Sequence, residues 1–356
     1  MKNICFFIGN LNLSGGTERV TTLIANGLVE KGFNVFILNL NNGLNPFFKL
    51  DERIKVSTLY PEMVSMKTHF FDAVFKIRKF VEKNKIQTII DVDSILSVFS
   101  VAALFGLGVK HICWEHFYFK ADLGSFFRVI GRRLAALCCD CVVTLTEKDK
   151  YLWESSLKIR RAKILSIINP SPYKDIKNIP DKENKIVLAI GRLTYSKGFD
   201  LLLKAWMNIY CIYPEWNLFI VGEGEERDKL EKFINENNIK NVHLPGKTQD
   251  VEEYYKKASF FCLSSRFEGL GMVLIEAQTY GLPIISFDCE VGPSEIIRDN
   301  VDGFLVENGN VEKLRKKLEE FMTINKDEYI NFSNNATSRA KNYSIDSVVE
   351  KWLKII

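Results

Sequence analysis

An α/β chain of two doubly wound, Rossmann-like domains is predicted by three observations. Short apolar runs of strand length alternate with segments of helical period from the first residues onward. The alternation breaks once, over 169–182, and then restarts. A chain of 356 residues also exceeds what one hydrophobic core usually serves. Repeated βα units of this kind give a parallel sheet covered by helices on both faces.

In the first half, residues 3–8 read as a strand, Gly15-Gly16 as a turn, 17–31 as a helix stopped by Gly32, and 33–40 as the next strand. A helix near 69–83, a strand at 88–92, a helix at 95–105, a strand at 111–114, a helix at 125–137 and a strand at 141–146 follow. The stretch from Asn169-Pro170-Ser171-Pro172 to Pro180-Asp181-Lys182 is rich in Pro, Lys and Asp and reads as a linker. Beyond it come strands at 186–190, 217–221, 242–244 and 259–263, with helices at 199–209, 226–235 and 251–257 between them. Gly281-Leu282-Pro283 then turns the chain into an apolar strand at 284–288. The expected organisation is a domain over 1–168, a linker over 169–182, a second domain over 183–337 and a final segment, 338–356. That segment holds a helix with Val348, Trp352 and Ile356 on one stripe.

Composition narrows the class. A hydrophobic content of 47% with 26% charged residues is ordinary for a soluble globular protein. No run approaches the apolar length of a spanning helix. The apolar opening ends in Gly9-Asn10 without a small-residue cleavage site, so it reads as a buried strand rather than a signal peptide, and a cytoplasmic location is expected. Cys5, Cys113, Cys211, Cys262 and Cys289 sit in or beside apolar segments as small hydrophobes, and Cys138-Cys139-Asp140-Cys141 lacks the second cluster a zinc site needs. No metal is expected, and no nucleic-acid partner. The net charge of +4 is uneven: 23 basic against 15 acidic residues up to Ile168, then 25 against 29.

Glu268 and Glu276 carry the strongest functional signal, in Ser265-Arg266-Phe267-Glu268-Gly269-Leu270-Gly271 and the apolar helix that follows. The glycines let backbone amides approach a ligand closely, the helix N-terminus offers unpaired N–H groups, and the two acids can accept from vicinal hydroxyls. Gly191-Arg192-Leu193-Thr194-Tyr195-Ser196-Lys197-Gly198 leaves a strand and enters a helix, bringing two cations to the edge where open α/β sheets hold ligands. There Arg192 can grip phosphate oxygens as a fork while Lys197 acts as a point charge. Ser14-Gly15-Gly16-Thr17 and Trp114-Glu115-His116-Phe117 also follow strands.

These motifs, with Gly292-Pro293-Ser294-Glu295 and Asp302-Gly303 downstream, resemble family 4 of the retaining glycosyltransferases, which have the GT-B fold, over nearly the whole chain. The resemblance implies two Rossmann-like domains facing a cleft and a last helix that crosses back to the first, acceptor-side domain. It implies that Glu268 contacts the transferred sugar, Glu276 the nucleotide ribose, and Arg192 and Lys197 the diphosphate, with Leu270 and Gly271 at the helix N-terminus. Gly15 and Gly16 would border the donor phosphates or the acceptor, and His116 would lie near the transferred sugar. The implied reaction is metal-independent transfer, with retention, of a hexose or N-acetylhexosamine from a UDP-sugar to a lipid-linked saccharide, as in capsule, exopolysaccharide or O-antigen assembly. No cofactor besides the donor is implied.

The residues alone leave other classes open. Gly222-Glu223-Gly224 begins like a dinucleotide fingerprint, which would suit an NAD-dependent oxidoreductase or an epimerase, although Arg227 replaces the third glycine and acids crowd the turn. A non-catalytic sugar-nucleotide-binding module would share the same fold. Asp91-Val92-Asp93 looks like a D-x-D metal motif. Finally, residues 66–85 place Phe70, Phe71, Val74, Ile77 and Val81 on an apolar stripe beside Lys67, Lys76, Arg78, Lys79, Lys83 and Lys85. With Arg128, Arg132 and Arg133 this reads as a basic amphipathic surface for an anionic membrane, or as an ordinary helix packed on its sheet.

Overall fold

In a computed structural model that describes every residue except Met66, Asp122, Leu123, Asp175 and Gln249, the chain divides into two units. One comprises Met1–Pro172 with Ile345–Ile356, the other Tyr173–Ser344.

The first unit runs β1 (Asn3–Ile8), α1 (Gly16–Glu30), β2 (Asn34–Asn41), β3 (Lys55–Tyr60), α2 (Phe70–Lys83), β4 (Thr88–Val92), α3 (Ser97–Leu104) and β5 (Lys110–Trp114). It continues with α4 (Phe126–Cys138), β6 (Cys141–Thr144), α5 (Glu147–Ser156) and β7 (Lys163–Ser166). All seven strands are parallel, in the order β3-β2-β1-β4-β5-β6-β7, so the winding reverses between β1 and β4. The central strands β1 and β4 are buried and mostly apolar because both their faces are covered, with Asp91 the one charged residue in them.

The second unit runs β8 (Ile186–Ile190), α6 (Phe199–Ile212), β9 (Asn217–Val221), α7 (Arg227–Glu236), β10 (Val242–Gly246), α8 (Val251–Lys257), β11 (Phe260–Leu263) and α9 (Met272–Thr279). It closes with β12 (Ile284–Asp288), α10 (Pro293–Ile296), β13 (Gly303–Glu307), α11 (Val311–Thr323) and α12 (Lys326–Ala340). Its six parallel strands are ordered β10-β9-β8-β11-β12-β13, and the winding reverses between β8 and β11. Two doubly wound parallel sheets with helices between successive strands make the α/β, Rossmann-like class that the alternation predicts.

The last helix, α13 (Ile345–Leu353), packs in the first unit. Val349 lies against Gly27 of α1 so closely that a side chain at Gly27 would displace it, and Trp352 meets Trp114 edge-on at 4.8 Å.

Several sequence expectations are revised. The sequence pattern gives no strand for β3 or β7 and no helix for α5; both strands are sheet edges, short and half-exposed, without a continuous apolar run. Cys211 is exposed rather than buried, as is Cys138. The amphipathic segment 66–85 starts at Met66, which lies outside the described residues; the rest of it behaves mainly as an ordinary packed helix. Ala73, Ile77 and Val81 are buried in the core, with Phe70 and Val74 against it, while Phe71 faces solvent. Arg128 and Arg132 do not form a basic face either. Both are buried: Arg128 forks onto Asp93 at 2.7 and 2.8 Å, and Arg132 Nε lies 3.1 Å from Glu115. Removing such charges from water demands partners, and the acids supply them.

Candidate active site

The loops after β8 and β11 leave adjacent strands at the point where the winding of the second sheet reverses, the position where doubly wound folds bind ligands. They carry Arg192, Lys197 and Glu268, and they are tied to each other. Arg266 donates its backbone N–H to Ser196 O at 2.8 Å and forks onto Asp200 at 2.7 Å on both arms. Its guanidinium also donates to Tyr195 O at 2.8 Å and lies 4.0 Å from the centre of the Tyr195 ring. Ser264 Oγ donates to Lys197 O at 3.0 Å. Gly198 is required at this crossing: its φ is +63°, and a Cβ there would collide with Ser264 O.

The clamp places Lys197 Nζ 2.6 Å from Glu268 Oε1, and the same oxygen accepts from Ser265 Oγ at 2.6 Å. Arg192 is exposed and its guanidinium makes no ion pair with a described residue. Leu193, by contrast, is fully buried and pinned by Leu193 N to Glu223 O at 2.8 Å and Glu226 N to Leu193 O at 3.0 Å. This accounts for Gly222 and Gly224. A Cβ on either would strike the carbonyl of Gly191 or Leu193, so backbone packing under the Arg192 loop requires both glycines. Arg227 pairs with Glu223 and Glu231 beside them.

Leu270 is buried, and Gly271 caps α9 in the left-handed region with φ +82°. Gly292 packs on this turn, where an added Cβ would come within 2.7 Å of Leu270 O, which gives the downstream Gly-Pro-Ser-Glu a structural purpose. Glu276 is buried on α9 and accepts from Tyr255 OH at 2.9 Å. Tyr255 stacks on Tyr280 with ring centres 5.1 Å apart, and Tyr280 OH donates to Glu252 at 2.8 Å. Thus Arg192, Lys197, Glu268, Leu270, Gly271 and Glu276 all belong to the second unit.

Gly15, Gly16 and His116 belong to the first unit. Gly15 is the N-cap of α1 and Gly16 its first residue. Glu18, three residues past the cap, turns its carboxylate back onto the amides of Gly15 and itself, and burial raises its pKa despite those bonds. The loop therefore holds a carboxylate of its own at the positive end of the helix.

His116 sits where β5 ends. Glu115, fully buried, fixes it by accepting from the His116 and Phe117 amides, both at 3.1 Å, while Arg132 and Ser94 hold the carboxylate from the other side. The imidazole lies 4.5 Å from Trp114, and its Nε2 is shielded from solvent with no hydrogen-bond partner among the described residues. Burial, helped by Arg128, pulls its pKa down to about 3, so it is neutral at physiological pH.

The Asp91-Val92-Asp93 motif is otherwise engaged. Asp91 accepts from His111 Nε2 at 2.7 Å, Ser97 at 2.8 Å and Ser100 at 2.5 Å, whereas Asp93 holds Arg128. Among the described residues no group of three or more His, Cys, Asp or Glu is arranged to hold a metal ion.

Sequence reasoning missed Arg266 with Asp200, Tyr255 with Glu276, and Glu18. Only the last left a local signal, since an acid three residues after an N-cap is a capping signature.

Two doubly wound parallel-sheet units, the second with Lys197 and Glu268 in contact at its switch point, have the architecture of the GT-B class of glycosyltransferase. The chain belongs to the family 4 glycosyltransferases: residues 14–170 match Glycosyltransferase Family 4 and residues 172–339 match Glycosyl transferases group 1. It is 33% identical over 372 residues, covering 100% of this chain and 98% of the other, to a Campylobacter jejuni GalNAc-alpha-(1->4)-GalNAc-alpha-(1->3)-diNAcBac-PP-undecaprenol alpha-1,4-N-acetyl-D-galactosaminyltransferase. It is 32% identical to the amylovoran biosynthesis glycosyltransferase AmsD of Erwinia amylovora, with both chains covered fully. Among solved structures, Anabaena HepE in complex with UDP and glucose superposes with a TM-score of 0.82 at 16% identity, over 98% of each chain. Among the described residues no helix is long and apolar enough to cross a membrane.

Proposed function

We propose that this glycosyltransferase moves a hexose or N-acetylhexosamine from a UDP-sugar to a lipid-linked saccharide at the cytoplasmic face of the membrane, with retention and without a metal, in surface polysaccharide assembly. The observation that carries the reading is the 2.6 Å contact of Lys197 with Glu268 at the switch point, with Glu276 buried on the helix that follows. Three comparisons support it. The Campylobacter relative is named for an undecaprenol-diphosphate-linked saccharide, the Erwinia relative for an exopolysaccharide, and HepE was solved with UDP and glucose.

In this reading the bond from the anomeric carbon to the diphosphate breaks, the sugar becomes oxocarbenium-like, and negative charge grows on the leaving UDP, while the acceptor hydroxyl oxygen bonds to that carbon from the same face and its proton passes to the departing diphosphate oxygen. Arg192, Lys197 and the amides at Gly271 stabilise that charge, which is where preorganised cations and N–H groups lower a barrier most. Glu268 orients the sugar and Glu276 accepts from the ribose hydroxyls. His116, neutral, offers its shielded Nε2 to a sugar hydroxyl. The carboxylate of Glu18 makes the Gly15-Gly16 loop better suited to a hydroxylated acceptor than to phosphates.

The test is incubation with UDP-hexoses and UDP-N-acetylhexosamines plus an undecaprenyl-diphosphate saccharide, with the new anomeric centre read by NMR. An α-linked product from an α-linked donor supports the reading; an inverted product, or no transfer from any UDP-sugar, overturns it.

A further inference from the structure

The loop after β8 holds one large side chain out in water. Tyr195 is 63% exposed, yet it is fixed in place. It opens the 3-10 turn Tyr195–Lys197, and its carbonyl accepts from Gly198 N at 3.3 Å and from the Arg266 guanidinium at 2.8 Å. That guanidinium lies 4.0 Å from the ring centre and is itself locked by Asp200 at 2.7 Å on both arms. One face of the ring therefore rests on a rigid cation, and the other is open. Phe267, between Arg266 and Glu268, is a second ring left 44% exposed on the same pair of loops.

A fixed ring with one open face suits a pyranose. The C–H groups on one side of a hexose carry a slight positive charge and pack on the negative face of an aromatic ring, while its hydroxyls stay at the edge in water. The polar groups of the site are turned the other way: the Lys197 and Glu268 side chains are only 23% and 8% exposed and face each other at 2.6 Å. A donor held by those groups leaves the outward face of Tyr195 unused. The nucleobase does not claim it either. It is joined to the ribose, which the transfer reading places at Glu276 beside Tyr255 of α8, whereas Tyr195 is fastened through Arg266 to Asp200 on the first turn of α6. What remains to meet this ring is the saccharide that arrives as acceptor.

We infer that Tyr195 stacks on a pyranose ring of the saccharide acceptor and is a specificity-determining residue for it, with Arg266 and Asp200 holding the phenol ring in the stacking position. This rests on the transfer reading and deepens it, because it assigns an acceptor contact to a loop whose other groups serve the donor. Removing the ring then acts on the acceptor alone. Lys197 and Glu268 keep their contact, since neither depends on the Tyr195 side chain.

The experiment compares wild type with Tyr195→Ala, Tyr195→Leu and Tyr195→Phe, using the UDP-sugar and undecaprenyl-diphosphate saccharide that wild type joins in the transfer assay. Steady-state rates give the acceptor KM and kcat, calorimetric titration gives the affinity for UDP, and thermal melting checks folding. Tyr195→Ala and Tyr195→Leu should raise the acceptor KM about tenfold, the scale of losing one aromatic contact, with kcat and UDP affinity near wild type. Tyr195→Phe, which keeps the ring, should stay within about twofold. If Tyr195→Ala fails to fold, Tyr195→Leu, which keeps the bulk without the flat face, carries the comparison. An unchanged acceptor KM in the ring-less variants overturns the inference. So does a loss of UDP affinity, which would put the nucleotide on the ring, a fall in kcat alone, or a Tyr195→Phe enzyme as impaired as Tyr195→Ala. A wild type that transfers nothing overturns the transfer reading itself, so the two failures are told apart by the wild-type arm.

Discussion

Lys197 Nζ and Glu268 Oε1, 71 residues apart in sequence, lie 2.6 Å apart because Arg266 and Ser264 bind the loop after β11 to the loop after β8. A cation at the end of one strand and a carboxylate at the end of its neighbour thus converge on one point of the second sheet. Lys197→Ala should lower turnover about a hundredfold or more, the scale of losing one electrostatic stabiliser of a transition state. Glu268→Gln should also lower turnover while leaving UDP affinity near wild type. Steady-state rates and UDP titration of both variants check this; unchanged rates would remove both residues from the chemistry.

Glu276 is expected to act on binding rather than rate. Glu276→Gln should weaken UDP binding by roughly 1.5–3 kcal/mol, the range for a hydrogen bond to a charged group. Tyr255→Phe, which removes one of the carboxylate's donors, should weaken it less. Calorimetric titration distinguishes the two. A Glu276→Gln enzyme with full affinity and reduced turnover would reverse the assignment.

Arg266 touches no expected substrate position, yet its fork holds the geometry of both loops. Arg266→Lys should fail to restore what Arg266→Ala loses, because an ammonium cannot bridge Asp200 and Tyr195 O together. A double-mutant cycle with Asp200→Asn should give a coupling of about 1 kcal/mol in stability, modest because Asp200 is half-exposed. If Arg266→Lys has wild-type turnover, the fork is dispensable.

The core of this architecture is legible in the sequence because β1 and β8 are buried and leave unbroken apolar runs, while β4 and β12 keep shorter ones beside Asp91 and Ser286. β3 and β7 escape notice because edge strands need no such run. Glu268, Glu276, Arg192 and Lys197 show themselves by local spacing. Their supports do not: Arg266 with Asp200, Tyr255 with Glu276, and Arg132 with Glu115 are pairs 66, 21 and 17 residues apart that follow no period. Arg128 and Arg132 mislead for the same reason. Four apart on a helix they look like a solvated basic face until Asp93 and Glu115 are brought to them by the fold.

His116 gives a pH-dependent signature. Its pKa falls from 6.5 to about 3 in the folded chain. As pH drops below the ordinary value the unfolded chain takes up a proton that the native state refuses, so this contribution is fully present above pH 6.5 and is lost as pH falls toward 3. Urea unfolding of wild type and His116→Gln should therefore converge, or cross, by about 2 kcal/mol between pH 7 and pH 5. A difference that stays constant across that window would mean His116 titrates normally.

Asp91 and Asp93 are expected to be structural. Chelation with EDTA should leave the transfer rate unchanged, and Asp91→Asn should act on stability, since His111, Ser97 and Ser100 all bond to that carboxylate. A strict requirement for Mn²⁺ or Mg²⁺, restored by titration, would contradict the metal-independent reading.

The central claim is that the loops after β8 and β11 hold a nucleoside-diphosphate sugar. Its most direct test is calorimetric titration of UDP into the wild-type chain and into the Arg192→Ala, Lys197→Ala double variant. Saturable one-site binding by wild type, weakened about tenfold or more when the two cations are removed, is the predicted result. No binding of UDP to the wild type, or equal affinity in the double variant, would contradict it.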